Sequence, residues 1–318
     1  MRSRNVLGIL ASITLFSATV MLFLYRQEAI DWWRLRGYEP SPAIARLATN
    51  ASFTDEARRL FYIHDPELVT KENFTGRCSV SEETIVLGCY ITNTKIYIFD
   101  VNDERLDGIE EVTAAHEMLH AAWDRLSDDE KEYLRGFLHG VLETSDDERF
   151  INTIESYRKR DPSIVTNELH SIVGTEIRDI PQELEEYYAR YFLNRLAVVE
   201  QAENYAQEFV SRQNQIKAFD AQLEELKLKI ERAEADIEQL NNALAVEREQ
   251  LEATRSNPQE YNARVPGYNA KIESYNRLVQ QLRADIETYN NIVNQRNDVV
   301  IEERDLVNAI DTRFTETE

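Results

Sequence analysis

The segment TAAHEMLHAAW, residues 113–123, contains two of the chain's five histidines, His116 and His120, with Glu117 directly after the first. Histidines at positions i and i+4 of a helix lie on one side of it, so both imidazole rings can reach one metal ion. The glutamate between them lies at the rim of such a site, where it can take a proton from an attacking water. The spacing therefore predicts one Zn²⁺ per chain, with His116 and His120 as ligands and Glu117 as catalytic base.

The neighbouring residues favour a metal site over a chance match. Ile109, Val112 and Leu119 recur at helical spacing without an intervening proline, and uncharged residues surround both histidines. Upstream of them, ETIVLGCYIT and KIYIFDV are rich in β-branched and aromatic residues and flank the polar NTK. These two runs predict a β-hairpin that comes immediately before the histidine helix.

TAAHEMLHAA resembles the active-site helix of the zincin metallopeptidases. The glycine and third histidine of metzincins are missing from HAAWDRLSDD, so the resemblance is to gluzincins, in which a glutamate on a later helix completes the site. TNELHSIVGTE, residues 166–176, resembles the second ligand helix of that group. The resemblance implies that Glu168 is the third zinc ligand.

Three further residues are weaker candidates for this site. Glu176 is the alternative third ligand, or else a residue that contacts the ligands without binding the metal, or one that ends the helix. Glu155, in IESY, is a third choice because nothing around it resembles the motif. His170 either orients a ligand or the transition state, or is an ordinary hydrogen-bonded helix histidine.

The N-terminal residues 5–25 contain no charged side chain and would span roughly 30 Å as a helix, about one bilayer core. This predicts a retained single-pass membrane anchor, with a cleaved signal peptide as the alternative. The short N-terminal tail favours a body outside the cytoplasm, so we expect a cell-membrane protein with an extracytoplasmic catalytic domain.

Cys78 and Cys89 are the only cysteines. An oxidising compartment would let them form a disulfide that closes a small loop, whereas a reducing compartment would leave two thiols. The pair agrees with an extracytoplasmic body but does not establish it.

The last third of the chain repeats apolar residues in alternating steps of three and four, which is typical of a coiled coil. The first seam contains Ile216, Phe219, Leu223, Leu226, Ile230, Ala233, Ile237, Leu240 and Leu244. The second contains Val265, Ile272, Val279, Ile286 and Val293, interleaved with Tyr261, Tyr268, Tyr275, Leu282 and Tyr289. Two seams joined by one break predict an antiparallel hairpin, with self-association or binding of a protein partner as the competing interpretation.

These patterns together predict an α+β, mostly helical chain. Its expected parts are an anchor (1–26), a connector (27–49), a compact zincin-like domain with a small β-hairpin (50–195), a first coiled-coil helix (196–255), a turn (256–267) and a second coiled-coil helix (268–314).

The net charge of −22 argues against nucleic acid as a partner, because phosphate binding needs a basic surface. The main functional hypothesis is a membrane-anchored zinc endopeptidase that acts on protein or peptide substrates. The alternative is a non-catalytic adaptor or scaffold in which the coiled coil performs the function and the zincin-like domain is inert.

Overall fold

Helices form most of the chain, because long stretches of the sequence place apolar residues on one helical face. The computed structural model describes residues 16, 19–21, 25–78 and 85–313. Its helices are α1 Arg26–Leu35, α2 Pro42–Asn50, α3 Asp55–Ile63, α4 Lys71–Phe74, α5 Ile109–Asp124, α6 Asp128–Thr144, α7 Glu148–Arg160, α8 Val165–Thr175, α9 Gln182–Tyr188, α10 Arg195–Ala253 and α11 Pro258–Ile310. A short 3₁₀ helix covers Glu104–Leu106.

The chain divides into two compact units. The described residues up to 206 and from 309 to 313 form one, which we call the globular unit, and residues 207–308 form the other, which we call the arm. The globular unit thus continues past residue 195, where the predicted zincin-like domain ended, and takes in the first turns of α10.

The predicted membrane anchor, residues 1–26, lies largely outside the described residues. A membrane span needs about 20 consecutive apolar helical residues, whereas α1 has 10 residues, four of them charged. Within the described part of the chain, no helix is both long and apolar enough to cross a bilayer. This finding overturns the predictions of a single-pass transmembrane helix and of a cell-membrane location.

The predicted connector, residues 27–49, contains two packed helices. Ser41 caps α2 by accepting a hydrogen bond from the Ile44 amide at 3.3 Å, and Ile44 and Leu47 are buried in the core. On α1, Asp31 is only 3% exposed and accepts two hydrogen bonds from Arg125, at 2.6 and 3.0 Å. This stretch is therefore part of the globular unit.

A three-stranded sheet lies beside the histidine helix. Its strands are β1 Glu67–Val69, β2 Gly88–Ile91 and β3 Lys95–Phe99, in the order β1-β3-β2. The predicted hairpin forms β2 and β3, which pair antiparallel with Cys89 opposite Tyr97. The sequence did not predict β1, which pairs parallel to β3, because three residues are too few for an alternating pattern.

Helices α5 and α8 cross at close range in the core of the globular unit. Leu119 on α5 is fully buried, and a Cβ added to Gly174 on α8 would lie 2.5 Å from its Cδ1 atom. The same added Cβ would lie 2.8 Å from Cε1 of the Tyr188 ring. Glycine at position 174 therefore lets the two helices approach, and this approach brings the predicted ligands together.

The arm is an antiparallel hairpin of α10 and α11. Residues that pair across it rise in number on one helix as they fall on the other: Arg212 with Glu302, Asp220 with Arg296, Lys229 with Asp285, and Glu247 with Lys271. Every residue of the first predicted seam is half-buried, as is every residue of the second except Ile286, which is 38% exposed. The hairpin interpretation of the seams is confirmed within this chain.

The predicted turn, residues 256–267, is longer than the observed one. Helix α10 ends at Ala253 and α11 begins at Pro258, while Pro266 lies inside α11. Asn257 accepts a hydrogen bond from the Glu260 amide at 3.4 Å, and Pro258 occupies the first helical position, where no N–H partner is needed.

Candidate metal centre and cleft

His116 and His120 on α5 point their rings at the same place. Their Nε2 atoms are 3.1 Å apart and their side chains are 17% and 11% exposed. This placement follows from the four-residue spacing on a continuous helix.

Glu168 on α8 completes a group of three potential ligands. Its Oε2 atom lies 3.6 Å from the His116 Nε2 atom and 3.9 Å from the His120 Nε2 atom. One ligand atom from each residue lies within 4.8 Å of the others, as a shared metal ion requires. Glu168 Oε2 is buried and accepts no hydrogen bond from any described residue.

The surroundings of Glu168 keep its carboxyl group ionised. Burial by itself raises the pKa of this group. Interactions with His116, with His120 and with the Tyr157 phenol outweigh burial, so the pKa of Glu168 is lowered overall. An ionised, unpaired carboxylate oxygen is a suitable third ligand for zinc.

Asn167 fixes the orientation and tautomer of His120. The Asn167 Oδ1 atom lies 3.0 Å from His120 Nδ1, and because an amide oxygen only accepts, Nδ1 carries the proton. The lone pair of His120 is therefore on Nε2, which faces Glu168 and His116. The Ser171 hydroxyl is a further neighbour of Nδ1, at 3.3 Å.

These donors fit a zinc ion. Two imidazole nitrogens and one carboxylate oxygen form the three-protein-ligand set of catalytic zinc sites, which leave one position open. The hydrogen bond from His120 Nδ1 to the Asn167 side chain is of the kind that orients zinc ligands.

Glu117 lies between the two histidines in sequence and faces the sheet. It is 6% exposed, and β2 passes directly against its side chain at Gly88. Burial raises the pKa of Glu117 to about 7, with His120 acting in the opposite direction and Glu168 adding to the rise. The residue is thus held beside the three ligands by contact with a strand.

Gly88 allows β2 to pass close to α5. A Cβ at this position would lie 2.6 Å from the Thr113 methyl group and 2.8 Å from both Glu117 Cγ and Glu117 Oε1. Any side chain here would force the strand away from Glu117. The contact explains why a glycine lies in a short β-strand.

A cavity of about 450 Å³ opens over this group of residues. Its walls come from β2, α5, α7 and α8, and include Tyr157 and Arg160 at the end of α7. No sequence pattern predicted either residue, because α7 reaches the site only through tertiary packing. Asn167 was also missed, although it directly precedes Glu168.

The weaker site candidates lie outside the ligand group. Glu176 lines the same cavity but pairs with Arg149 at 3.3 Å, and Glu155 pairs with Arg158. Their positions leave Glu168 as the carboxylate that meets both histidines.

His170 is fully buried and its Nε2 atom lies 2.8 Å from the Tyr187 hydroxyl. Its ring packs against Trp123, with centroids 5.1 Å apart, and burial lowers its pKa well below the ordinary value. This side chain is a neutral core residue in the structure, which corresponds to the hydrogen-bonded alternative.

Cys78 and Cys89 form a disulfide, with their Cα atoms 5.8 Å apart. Cys89 lies on β2 between Gly88 and Tyr90, so the bond ties the strand beside Glu117 to the segment that follows α4.

No protein-family model, no curated protein and no solved structure matches the chain. The functional argument therefore rests on the geometry of the site.

Proposed function

We propose that the chain is a zinc-dependent endopeptidase. The observation that supports this most strongly is the convergence of His116, His120 and Glu168, from two helices, in a cavity that Glu117 also lines. Placing four titratable side chains together away from water costs desolvation free energy, and without a ligand no interaction offsets that cost. A metal ion and a reacting water would give each side chain a partner.

His116, His120 and Glu168 would hold the zinc ion, which would supply Lewis acidity to polarise a carbonyl group and to lower the pKa of a water molecule, so that the water could lose a proton at neutral pH. Glu117 accepts the proton of the attacking water and passes it to the nitrogen of the leaving amine. Asn167 keeps His120 in the tautomer that has its lone pair on Nε2.

The edge of β2 provides a binding surface for an extended peptide. The Leu87 carbonyl accepts from Phe99 on β3 at 2.8 Å, and alternate residues of a strand direct their polar backbone groups to opposite sides. Gly88 and Tyr90 therefore direct theirs away from β3, and both residues line the cavity. Main-chain pairing along such an edge suits any internal segment of a polypeptide, which favours endopeptidase activity.

The test combines metal content with hydrolysis. Purified full chain should contain about one zinc per molecule, and His116→Ala and Glu168→Ala should lose it. Glu117→Gln should keep zinc and the fold but lose hydrolysis of a mixed peptide library. Glu176→Gln is the matched control, because it removes a carboxylate from the same cavity.

Two results would overturn the proposal. One is a wild-type chain that binds no zinc after reconstitution, and the other is unchanged peptide hydrolysis in Glu117→Gln. Zinc that is retained in Glu168→Ala and lost from a Glu176 variant would move the third ligand to Glu176.

The arm supports a second candidate function, that of an adaptor. Its outer surface exposes large apolar side chains, with Leu228 44% and Val246 56% exposed. Isolated exposed residues of this kind are common, so a partner is indicated only if they contribute to association. Sedimentation velocity of the full chain and of Leu228→Glu/Val246→Glu tests this: assembly present in the first and absent from the second would favour the adaptor.

A further inference from the structure

We propose that Arg160 binds a carboxylate of the substrate and so gives the site a preference for acidic peptides. This inference rests on the function proposed above, because it concerns the ligand of the same cavity. The carboxylate has two possible sources, an Asp or Glu side chain and a free C-terminus.

Arg160 is the last residue of α7 and lines the cavity together with Glu117 and Glu168. Its side chain is exposed, and its guanidinium carbon lies 5.0 Å above the centre of the Tyr157 ring. Tyr157 lines the same cavity, and its phenol lowers the pKa of Glu168, which places that phenol near the carboxylate. A single aromatic ring therefore separates the guanidinium group from a ligand of the candidate metal site.

Arg160 has no acidic partner among the described residues. Arg158, on the same turn, pairs with Glu155, and Arg149 pairs with Glu176. Asp161, the next residue, instead accepts hydrogen bonds from Ser163 at 2.7 and 2.9 Å. The stacked guanidinium thus keeps its hydrogen-bond donors available toward the cavity.

The charge around the cavity makes this cation distinctive. Among the described residues that line it, Arg160 is the only lysine or arginine, whereas four carboxylates are present: Glu117, Asp124, Glu168 and Glu176. The chain as a whole has a net charge of −22 and therefore repels acidic peptides. A preference for acidic residues thus requires a local cation, and Arg160 provides one beside the reacting groups.

The arrangement suits a carboxylate in particular. A guanidinium group presents paired N–H donors that match the two oxygens of a carboxylate, and stacking on an aromatic ring reduces the freedom lost on binding. The three basic residues at the end of α7 all interact favourably with the helix dipole. Lys159 shares that dipole but does not line the cavity, so it separates a site-specific effect from general charge.

The test measures binding of peptide pairs to the full chain in the Glu117→Gln background, loaded with zinc. Fluorescein-labelled pentapeptides that differ only by Glu or Gln at each position in turn are titrated by fluorescence anisotropy. We expect the best Glu peptide to bind about 10-fold more tightly than its Gln counterpart. Arg160→Gln should reduce this ratio to about 1, while Lys159→Gln should leave it unchanged and Arg160→Lys should retain part of it.

A second set of binding measurements identifies the source of the carboxylate. It compares peptides that end in a free acid with the same peptides ending in an amide. A side-chain source makes the Glu and Gln peptides differ and the acid and amide peptides equal, and a terminal source gives the reverse. Zinc content equal to that of the parent shows that each variant is folded at the site.

The proposal is overturned if both kinds of pair bind equally, if Arg160→Gln and Lys159→Gln behave alike, or if none of the peptides binds. Its failure is distinguishable from that of the proposed function. Carboxylate-dependent binding by a chain that never hydrolyses peptides would contradict the peptidase and keep the role of Arg160. Hydrolysis without any preference for acidic peptides would contradict the role of Arg160 and keep the peptidase.

Discussion

Helix α5 in the globular unit and helix α11 in the arm bury their residues to very different extents. Eleven of the 16 residues of α5 are buried, including Glu117 and Thr113. Of the 53 residues of α11, only Asp285 and Leu306 are buried. A helix surrounded by a sheet and several helices loses solvent on almost every side, whereas a helix with one partner loses it along one stripe.

The same difference changes the behaviour of carboxylates. In the globular unit, burial raises the pKa of Glu117 and of Glu110 to about 7. In the arm, hydrogen bonding to Lys229 lowers the pKa of Asp285. Of these three carboxylates, the two in the globular unit are the ones whose pKa burial raises, and the proposed function is assigned to that unit.

The largest expected difference concerns apolar truncations in the two regions. Leu119→Ala, in the packed α5–α8 contact, should lower the free energy of unfolding of the globular unit by about 3 kcal/mol. Leu226→Ala, in the half-buried arm seam, should cost the arm about 1 kcal/mol.

Urea unfolding can separate these two effects. All three tryptophans, Trp32, Trp33 and Trp123, belong to the globular unit, so their fluorescence follows that unit, while far-UV circular dichroism follows both. Equal losses in the two variants would contradict the contrast in packing.

A somewhat smaller effect is expected when the support of His120 is removed. Asn167→Ala should weaken zinc binding by about 10- to 100-fold, because the ring loses the partner that fixes its orientation and tautomer. Competition with a chelator of known affinity measures this. Asn269→Ala, on the exposed surface of the arm, should leave zinc affinity unchanged, and a normal affinity in Asn167→Ala would show that the hydrogen bond does not position the ligand.

The third prediction uses the pH dependence of stability. The Glu110 carboxyl accepts from the Val101 N–H at 2.9 Å, and burial, followed by repulsion from Asp100, raises its pKa from 4.5 to about 7. A carboxyl whose pKa is higher in the folded state opposes folding as it ionises, so this cost appears as the pH rises above 4.5 and is complete above about 7.

Glu110→Gln should therefore be more stable than the wild type at pH 8, by up to about 2 kcal/mol after allowance for solvent screening. The difference should diminish toward pH 4. Tryptophan fluorescence during urea unfolding at several pH values checks this, with Glu143→Gln, an exposed position of the globular unit, as control. A constant difference across the pH range would mean that ionisation of Glu110 is not its cause.

The smallest effect is expected from the ion pair of the arm. Asp285 accepts from Lys229 at 2.7 Å and from Gln281 at 3.0 Å. Because its pKa is lowered in the folded state, its contribution is present above its ordinary pKa and is lost as the pH falls through the folded value. Asp285→Asn should shift the thermal midpoint of the arm less than Leu226→Ala does, and only at neutral pH. A larger shift, or one that persists in acid, would show that Asp285 has another structural role.

Parts of the fold could be predicted because they depend on short-range periodicity. The two arm seams, the β2–β3 hairpin and the histidine helix each follow from spacings within a few residues. The three-residue strand β1 and the helices α1 and α2 could not, since packing against the rest of the globular unit stabilises them. The predicted anchor is wrong because an apolar run does not by itself make a membrane span, and no helix of the described residues is long and apolar enough to be one.

By itself, the sequence determined that His116 and His120 share one face of a helix, because four residues make about one helical turn. It also placed Glu168 in a helix that resembled a ligand helix. Only the tertiary structure brought Glu168 within 4 Å of both rings, buried Glu117 against Gly88, and put Arg160 at the cavity through the packing of α7. Local geometry is encoded in neighbouring residues, whereas distances between helices depend on the whole core, down to the missing side chain at Gly174.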